Sequence, residues 1–238
     1  MSGRTEGVSH PLPSIVVRHG GDRRAMSFKL FFLLVKAAGW TLGISVISIA
    51  IGFLIAIALS GAMLSGKRLY TMPTKLFISF FRGVPLLVQL LLIYNLLPFI
   101  GINVPSVVAA IIGLSLCTAA YQAENLRGGF ESVPKGLVEA ADMAGFSARQ
   151  TFLRIKLPIA LRLTFPALVN EAIMILKSSS LVSVVGIVEL TRMAQDLAAS
   201  TYLPLELFSS AALIYLIICW SVAMIARVTE RSLPGAVK

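Results

Sequence analysis

Glu139-Ala140-Ala141-Asp142-Met143-Ala144-Gly145 and, after nine intervening residues, Ile155-Lys156-Leu157-Pro158 form a charged, glycine-stopped stretch between long apolar runs. Ser132 before Val133-Pro134 reads as an N-cap with proline in the first turn, and Gly145 follows the last apolar position. The spacing predicts a short helix over 134–144. Ser147-Ala148-Arg149-Gln150 matches a capping box that opens a second short helix through Phe152, Leu153 and Ile155, and Pro158 marks a turn into the next apolar run. One face of the first helix carries Leu137, Ala140, Ala141 and Ala144 beside Glu139, small side chains that let another backbone come close. Physical chemistry alone leaves two readings open: a loop helix lying against its own chain, or a docking surface for a second protein.

The surroundings of this stretch define its solvent. Of 238 residues, 57% are hydrophobic and 13% charged, with a mean hydropathy of +0.86. Soluble domains run at about 45–50% apolar and about 25% charged, so this is a polytopic membrane protein. The excess of 21 Lys+Arg over 11 Asp+Glu, a net charge of +10, fits basic loops beside an anionic inner leaflet. These cations are scattered among the apolar runs without a basic-aromatic strip, which argues against nucleic acid as a partner. Cys117 and Cys219 lie inside apolar runs, where a thiol behaves as a small hydrophobe, and His10 and His19 lack partner ligands at metal spacing. No metal site, resident cofactor or catalytic group is expected.

Hydropathy and charge divide the chain into a polar tail with an interfacial helix over 1–37, a membrane domain over 38–230, and a short tail over 231–238. The interfacial helix is expected over Met26 to Lys36, feeding the first span. A crossing helix needs ~20 apolar residues, which predicts an all-α membrane protein with five transmembrane helices near 40–64, 77–98, 105–126, 163–187 and 207–226. The polar insert at 130–158 falls between the third and fourth. In the first span Ser48, Gly52, Ala56 and Ser60 recur every four residues, a stripe that admits close approach of another helix. The loops at 65–76 and 127–162 and the C-terminal end hold most of the remaining Lys and Arg. By the positive-inside rule the insert and C-terminus are cytoplasmic, and an odd span count places the N-terminus outside.

Ionisable groups within spans cost roughly 2.5–3.5 kcal/mol each on insertion scales and turn toward a partner or a water-filled cavity. Glu124, Glu171 and Lys177 are such groups, with Arg82 nearer the cytoplasmic end of the second span. One reading has them line a solute path together with Gln89, Asn170, Ser178, Ser179 and Ser180. The other has Glu124 and Arg127 at the lipid boundary and Lys177 paired with a neighbouring acid.

The spacing Glu-Ala-Ala, three residues, Gly, nine residues, Ile-x-Leu-Pro resembles the signature of permease subunits of binding-protein-dependent ABC importers. Phe81-Arg82-Gly83-Val84-Pro85-Leu86-Leu87-Val88-Gln89 is similar to the FRGTPLLVQ segment of the polar-amino-acid branch, with Val84 where Thr is usual. Tyr121-Gln122-Ala123-Glu124, Ser132-Val133-Pro134-Lys135-Gly136 and Asn170 agree too. Lys177-Ser178-Ser179-Ser180-Leu181 resembles a K-D-T-S-L pattern, with Ser178 in place of the common Asp and Ser179 of the common Thr, and Glu189-Leu190-Thr191 matches E-L-T.

The resemblance implies a type I ABC importer permease fold in a bacterial cytoplasmic (inner) membrane. Its 130–158 insert would couple to a cytoplasmic ATPase through Glu139, Ala140, Ala141, Gly145, Ile155, Leu157 and Pro158, with Pro158 setting the angle into the fourth span. Implied partners are two copies of the ATPase, a second permease copy or paralogue, and a periplasmic or lipid-anchored binding protein that delivers a polar amino acid or a related solute such as an opine. The chain carries no complete G-x-x-x-x-G-K-[ST] phosphate loop, so ATP and magnesium are expected on the partner. An ion-coupled secondary carrier is the alternative; it favours duplicated halves with matching broken helices, and five spans offer no such symmetry.

Overall fold

The computed structural model describes residues 28–232, so the basic tail with His10 and His19, the start of the expected interfacial helix and the residues after 232 lie outside the described residues. Regular structure among the described residues is helical: α1 (Phe28–Leu64), α2 (Arg68–Gly83), α3 (Leu86–Phe99), α4 (Ser106–Glu131), α5 (Lys135–Met143), α6 (Ala148–Thr151), α7 (Leu157–Ser178), α8 (Leu190–Thr201) and α9 (Pro204–Ser232). Among the described residues four stretches are long and apolar enough to cross a membrane: Phe28–Leu64, Ser106–Glu131, Ala148–Val185 and Pro204–Arg231. Taking α2 with α3 as one span, bent by 110°, brings the number to five.

That bend corrects the expectation of one straight helix over 77–98. Pro85 has no N–H to give to the preceding turn and forces Val84 out of the helical region, to φ −95° and ψ 134°, so the helix ends at Gly83 and restarts at Leu86.

A second correction concerns α1, where no break separates an interfacial helix from a first span. Its 37 residues extend ~55 Å at 1.5 Å each, well beyond a hydrocarbon core of ~30 Å. One stripe explains the continuity: Leu34, Ala37, Ala38, Thr41, Ile44, Ser45, Ser48, Gly52, Ala56 and Ser60 are all buried at helical spacing. The lower part of this stripe is the predicted small-residue run, and it packs against α4. A Cβ at Gly52 would lie 2.8 Å from the Thr118 methyl and 2.9 Å from the Ser115 carbonyl oxygen. The backbones therefore meet closely, as small residues permit in lipid, where dispersion contacts carry helix association.

The third difference is α8, which occupies the expected 188–205 connection. Glu189 caps it: the fully buried carboxylate accepts the N–H groups of Thr191 (2.8 Å) and Arg192 (2.7 Å) and the Tyr215 hydroxyl (3.0 Å). Thr41 Oγ1 on α1 accepts the Leu190 N–H at 3.2 Å. These bonds fasten α1, α8 and α9 into one corner, around Leu34, Ala38, Leu190, Ala194, Leu207 and Ile214. A middle cluster joins Ile44, Leu90, Leu114, Ile175 and Val182. A third, next to the insert, joins Ala56, Ile78, Ala123, Leu126, Phe130 and Ala160.

The fourth difference lies at the insert's exit. Pro158 does not turn the chain; α6 passes through a π-helical turn, Phe152–Lys156, directly into α7. The wide turn, closed by the Leu157 N–H on the Phe152 carbonyl, gives the proline ring room within the first turn of α7. At its far end α7 tightens into a 3-10 segment, Ser179–Val185, and stops at left-handed Gly186 (φ +85°). The fourth span therefore begins well before residue 163.

Replacing Gly52 by leucine is expected to cost about 1–3 kcal/mol through forced separation of α1 and α4. Leucine at Gly43, whose Cβ position is open, should leave the melting midpoint of the detergent-purified protein within a degree or two of the parent; equal midpoints for the two variants would contradict the contact.

Candidate functional site

Two regions carry the polar chemistry: the insert and a cavity at the broken span. In the insert, Ser132 closes α4 by donating to the Gly128 carbonyl (2.8 Å), so it does not cap α5, which starts after Pro134 without a side-chain cap. At the other end Gly145 takes φ +77°, and the Phe146 N–H reaches the Ala141 carbonyl at 3.0 Å while the Gly145 N–H reaches Asp142 at 3.0 Å. This is a Schellman stop, which needs a residue free to adopt the left-handed conformation. The capping box forms as the spacing predicts: Ser147 Oγ accepts the Gln150 N–H (3.3 Å) and Gln150 Oε1 accepts the Ser147 N–H (2.8 Å).

The side chains of the insert divide into two faces. Glu139, Ala140, Ala144 and Gly145 are exposed, as is Leu137, and Met143 is 88% exposed. Ala141 faces the other way and is buried, so it supports the helix instead of presenting it. Ile155, Leu157 and Pro158 are half-buried beneath. The stacked rings of Phe130 and Phe152, 5.5 Å apart, tie the insert to the end of α4.

A cavity of about 390 Å³ opens where the α2–α3 corner faces α4 and α7, lined by Arg82, Val84, Pro85, Cys117, Tyr121, Met174 and Ser178 among others. The Arg82 guanidinium lies 5.3 Å from the centre of the Tyr121 ring, a cation–π contact. Behind the wall Glu171 is 6% exposed, and its Oε1 has no hydrogen-bond partner among the described residues.

Gln89 explains why the corner holds. Its side-chain amide nitrogen donates to the carbonyls of Phe81 (2.8 Å) and Val84 (2.7 Å), two groups that the break leaves without helical partners. Gln89 is fully buried and lies outside the cavity wall. Asn170 and Lys177 are exposed and also lie off the wall, while Ser179 and Ser180 donate to the carbonyls of Leu176 (2.8 Å) and Lys177 (2.9 Å). Glu124 is held by Arg127 at 2.5 Å, and Arg127 also reaches Glu131 at 2.6 Å. Of the residues that sequence singles out, the cavity thus gathers Arg82 and Ser178, with Glu171 behind them. Tyr121 and Cys117 join as wall residues; their spacing of four on a span bearing Glu124 was the available signal.

Residues 48–233 match the family model described as "Binding-protein-dependent transport system inner membrane component". A probable amino-acid ABC transporter permease, YckA of Bacillus subtilis (strain 168), is 38% identical over 87% of this chain and 91% of its own length. The nopaline transport permease NocM of Agrobacterium fabrum is 38% identical over 83% and 86%. Among solved structures, a chain of an amino acid ABC transporter crystallised with histidines superposes with a TM-score of 0.81 at 32% identity, covering 88% of this chain and all of that one.

Gln89→Met removes the side-chain donor from both part-buried corner carbonyls, at about 0.5–1.5 kcal/mol for each hydrogen bond lost. A clear fall in the melting midpoint is expected; an unchanged midpoint would contradict the corner's dependence on this amide.

Proposed function

The chain belongs to the family of binding-protein-dependent transport system inner membrane components, and from that membership we propose how it handles its solute and its energy source. As an ABC importer permease it forms the membrane-spanning part of the transporter. The solute is a polar amino acid or a closely related compound, taken up in the cavity at the broken span. The observation that carries this reading is the presence of an open cationic wall group, Arg82, near a buried carboxyl group, Glu171, whose Oε1 has no hydrogen-bond partner among the described residues. Together they complement the carboxylate and ammonium of a zwitterion. Ser178 and Tyr121 add hydroxyls at the wall, while Gln89 holds the corner in shape. Asn170, Lys177, Ser179, Ser180 and Glu124 belong to the path only where conversion between access states turns them inward. The similarity to a nopaline permease supports an opine as the second reading.

Energy comes from a separate ATPase. Gly61-Ala62-Met63-Leu64-Ser65-Gly66-Lys67-Arg68 stops one residue short of a phosphate loop, with Arg68 where Ser or Thr would hold magnesium, and its first four residues are the last turn of α1. Two ATPase copies bind ATP and magnesium, and each takes the exposed face of one insert through Glu139, Ala140 and Gly145. Ala141, Ile155, Leu157 and Pro158 back that face from beneath. A second permease copy or a paralogue completes the path, and a periplasmic or lipid-anchored binding protein delivers the solute. The insert and the C-terminus face the cytoplasm and the N-terminus lies outside. Closure of the ATPases on ATP moves the inserts and switches the paired spans between outward and inward access, a rigid-body change between two packed states.

In proteoliposomes holding the permease, its ATPase and its binding protein, uptake is expected only with ATP and only with the ATPase present; uptake without either would overturn the importer reading in favour of a self-sufficient carrier. Glu139→Lys should reduce ATP-driven uptake at least tenfold while leaving the permease in the membrane, and an unchanged rate would remove the insert from coupling.

A further inference from the structure

Resting on the topology proposed above, which puts the end of α1 at the cytoplasmic side, we propose that the first two turns of α2 form a binding site for an anionic phospholipid of the inner leaflet, with Lys67, Arg68 and Lys75 at its headgroup. α2 and α3 meet at a bend of 110°, so only one of them can run along the membrane normal. Their residues decide which. α3 carries no charge, whereas α2 keeps Arg68, Lys75 and Arg82 among its apolar side chains. α3 therefore crosses the hydrocarbon, and α2 lies at a shallow angle along the cytoplasmic boundary that α1 reaches at Leu64.

The exposed side of α2 is divided as such a boundary requires. At 100° per residue Arg68 and Lys75 fall within about 20° of each other, and Leu69, Met72 and Leu76 fall within about 60° of one another on the adjoining edge. Those three apolar side chains are between 67% and 77% exposed. Thr74 and Ile78, on the other side of the helix, are buried. Water disfavours the apolar edge and hydrocarbon disfavours the cations, so the helix is satisfied with its apolar edge among acyl chains and its cations at headgroup level. Arg68 and Lys75 stand ~10.5 Å apart along the axis, a gap that two long side chains close on one headgroup. Lys67, exposed just before the helix, adds a third cation.

No acid of the neighbouring elements neutralises this charge. α1 and α2 contain none, and on α4, which packs against α2, Glu124 and Glu131 are both held by Arg127. Lys67, Arg68 and Lys75 make no ion pair within 4.0 Å among the described residues. A soluble anion would answer the cations and leave the apolar edge in water; an anionic phospholipid answers both. Because the far end of α2 brings Arg82 to the cavity wall, a lipid that fixes its first turns also steadies the corner.

The test places the assembled transporter in vesicles of phosphatidylcholine with one-fifth phosphatidylglycerol and compares spin-labelled forms of the two lipids in the fraction immobilised by protein. The anionic lipid is expected to be enriched at least twofold over the neutral one. Lys67→Gln/Arg68→Gln/Lys75→Gln should remove at least half of that excess, and Lys67→Arg/Arg68→Lys/Lys75→Arg should keep it. Arg227→Gln/Arg231→Gln, which strips exposed cations from the end of α9 on the same side, should leave the preference in place. An equal fall in that variant would mean diffuse attraction without a site and would overturn the proposal. So would equal immobilisation of the two lipids, a preference untouched by the triple glutamine variant, or displacement of the labelled lipid by millimolar inorganic phosphate. ATP-driven uptake in the same vesicles reports on the permease reading separately, and labelling of Ser65→Cys by an impermeant thiol reagent reports on the topology: uptake and cytoplasmic labelling without any lipid preference would sink the lipid site alone.

Discussion

Two backbone carbonyls at a helix break, Phe81 and Val84, depend on one side-chain amide, and the site depends on them. In hydrocarbon no water satisfies a broken helix, so irregular backbone survives only where protein groups or a polar cavity meet its free donors and acceptors. Gln89 meets both carbonyls at 2.8 and 2.7 Å. Without that amide both carbonyls at the 110° turn between α2 and α3 would lose their side-chain donor. The same turn brings Arg82 to the wall and opens the space between α2, α4 and α7.

The remaining helices form a frame around this corner. Close packing at Gly52 fixes α1 against α4, and the buried Glu189 carboxylate binds α8 to α9 beside the α1 contact made by Thr41. On the opposite side, the stretch from Ala148 to Val185 runs as one helical rod of 38 residues. Its first turn belongs to the insert, and Met174, Ile175 and Ser178 near its other end line the cavity. Displacement of α6 therefore reaches the cavity along one continuous helical stretch, to which α5 is joined through the turn at Gly145. The π turn before Pro158 preserves that continuity where the proline would otherwise break it.

Much of this was legible in the residues, for stated reasons. Length, charge gaps and hydropathy locate the apolar runs, because the bilayer sets their length. Ser147, Gln150 and Gly145 announce the caps of the insert, because capping is local chemistry. The bend escaped a hydropathy reading, since Leu86 to Leu97 is as apolar as any straight span, although Pro85 after Val84 carried the warning. Helix α8 escapes hydropathy because its 12 residues are too short to cross a membrane; yet Leu190, Ala194, Leu197 and Ala198 keep helical spacing behind Glu189. Gln89 was legible as a polar group in a span but not as a staple for the backbone, since that role arises only after the chain has turned. Pro158 misled because a proline's effect depends on the width of the turn before it.

The central claim is that the insert is the contact through which a separate ATPase drives these spans. It is tested most directly by a cysteine at the exposed position Met143, with Cys117 and Cys219 replaced by alanine, and a short thiol-to-amine crosslinker applied to membranes that contain the assembled transporter. The account predicts a crosslinked product of permease and ATPase, whose yield changes when ATP is added, because the docked surface moves as the ATPases close. Absence of that product, with both subunits present and uptake intact, would contradict it.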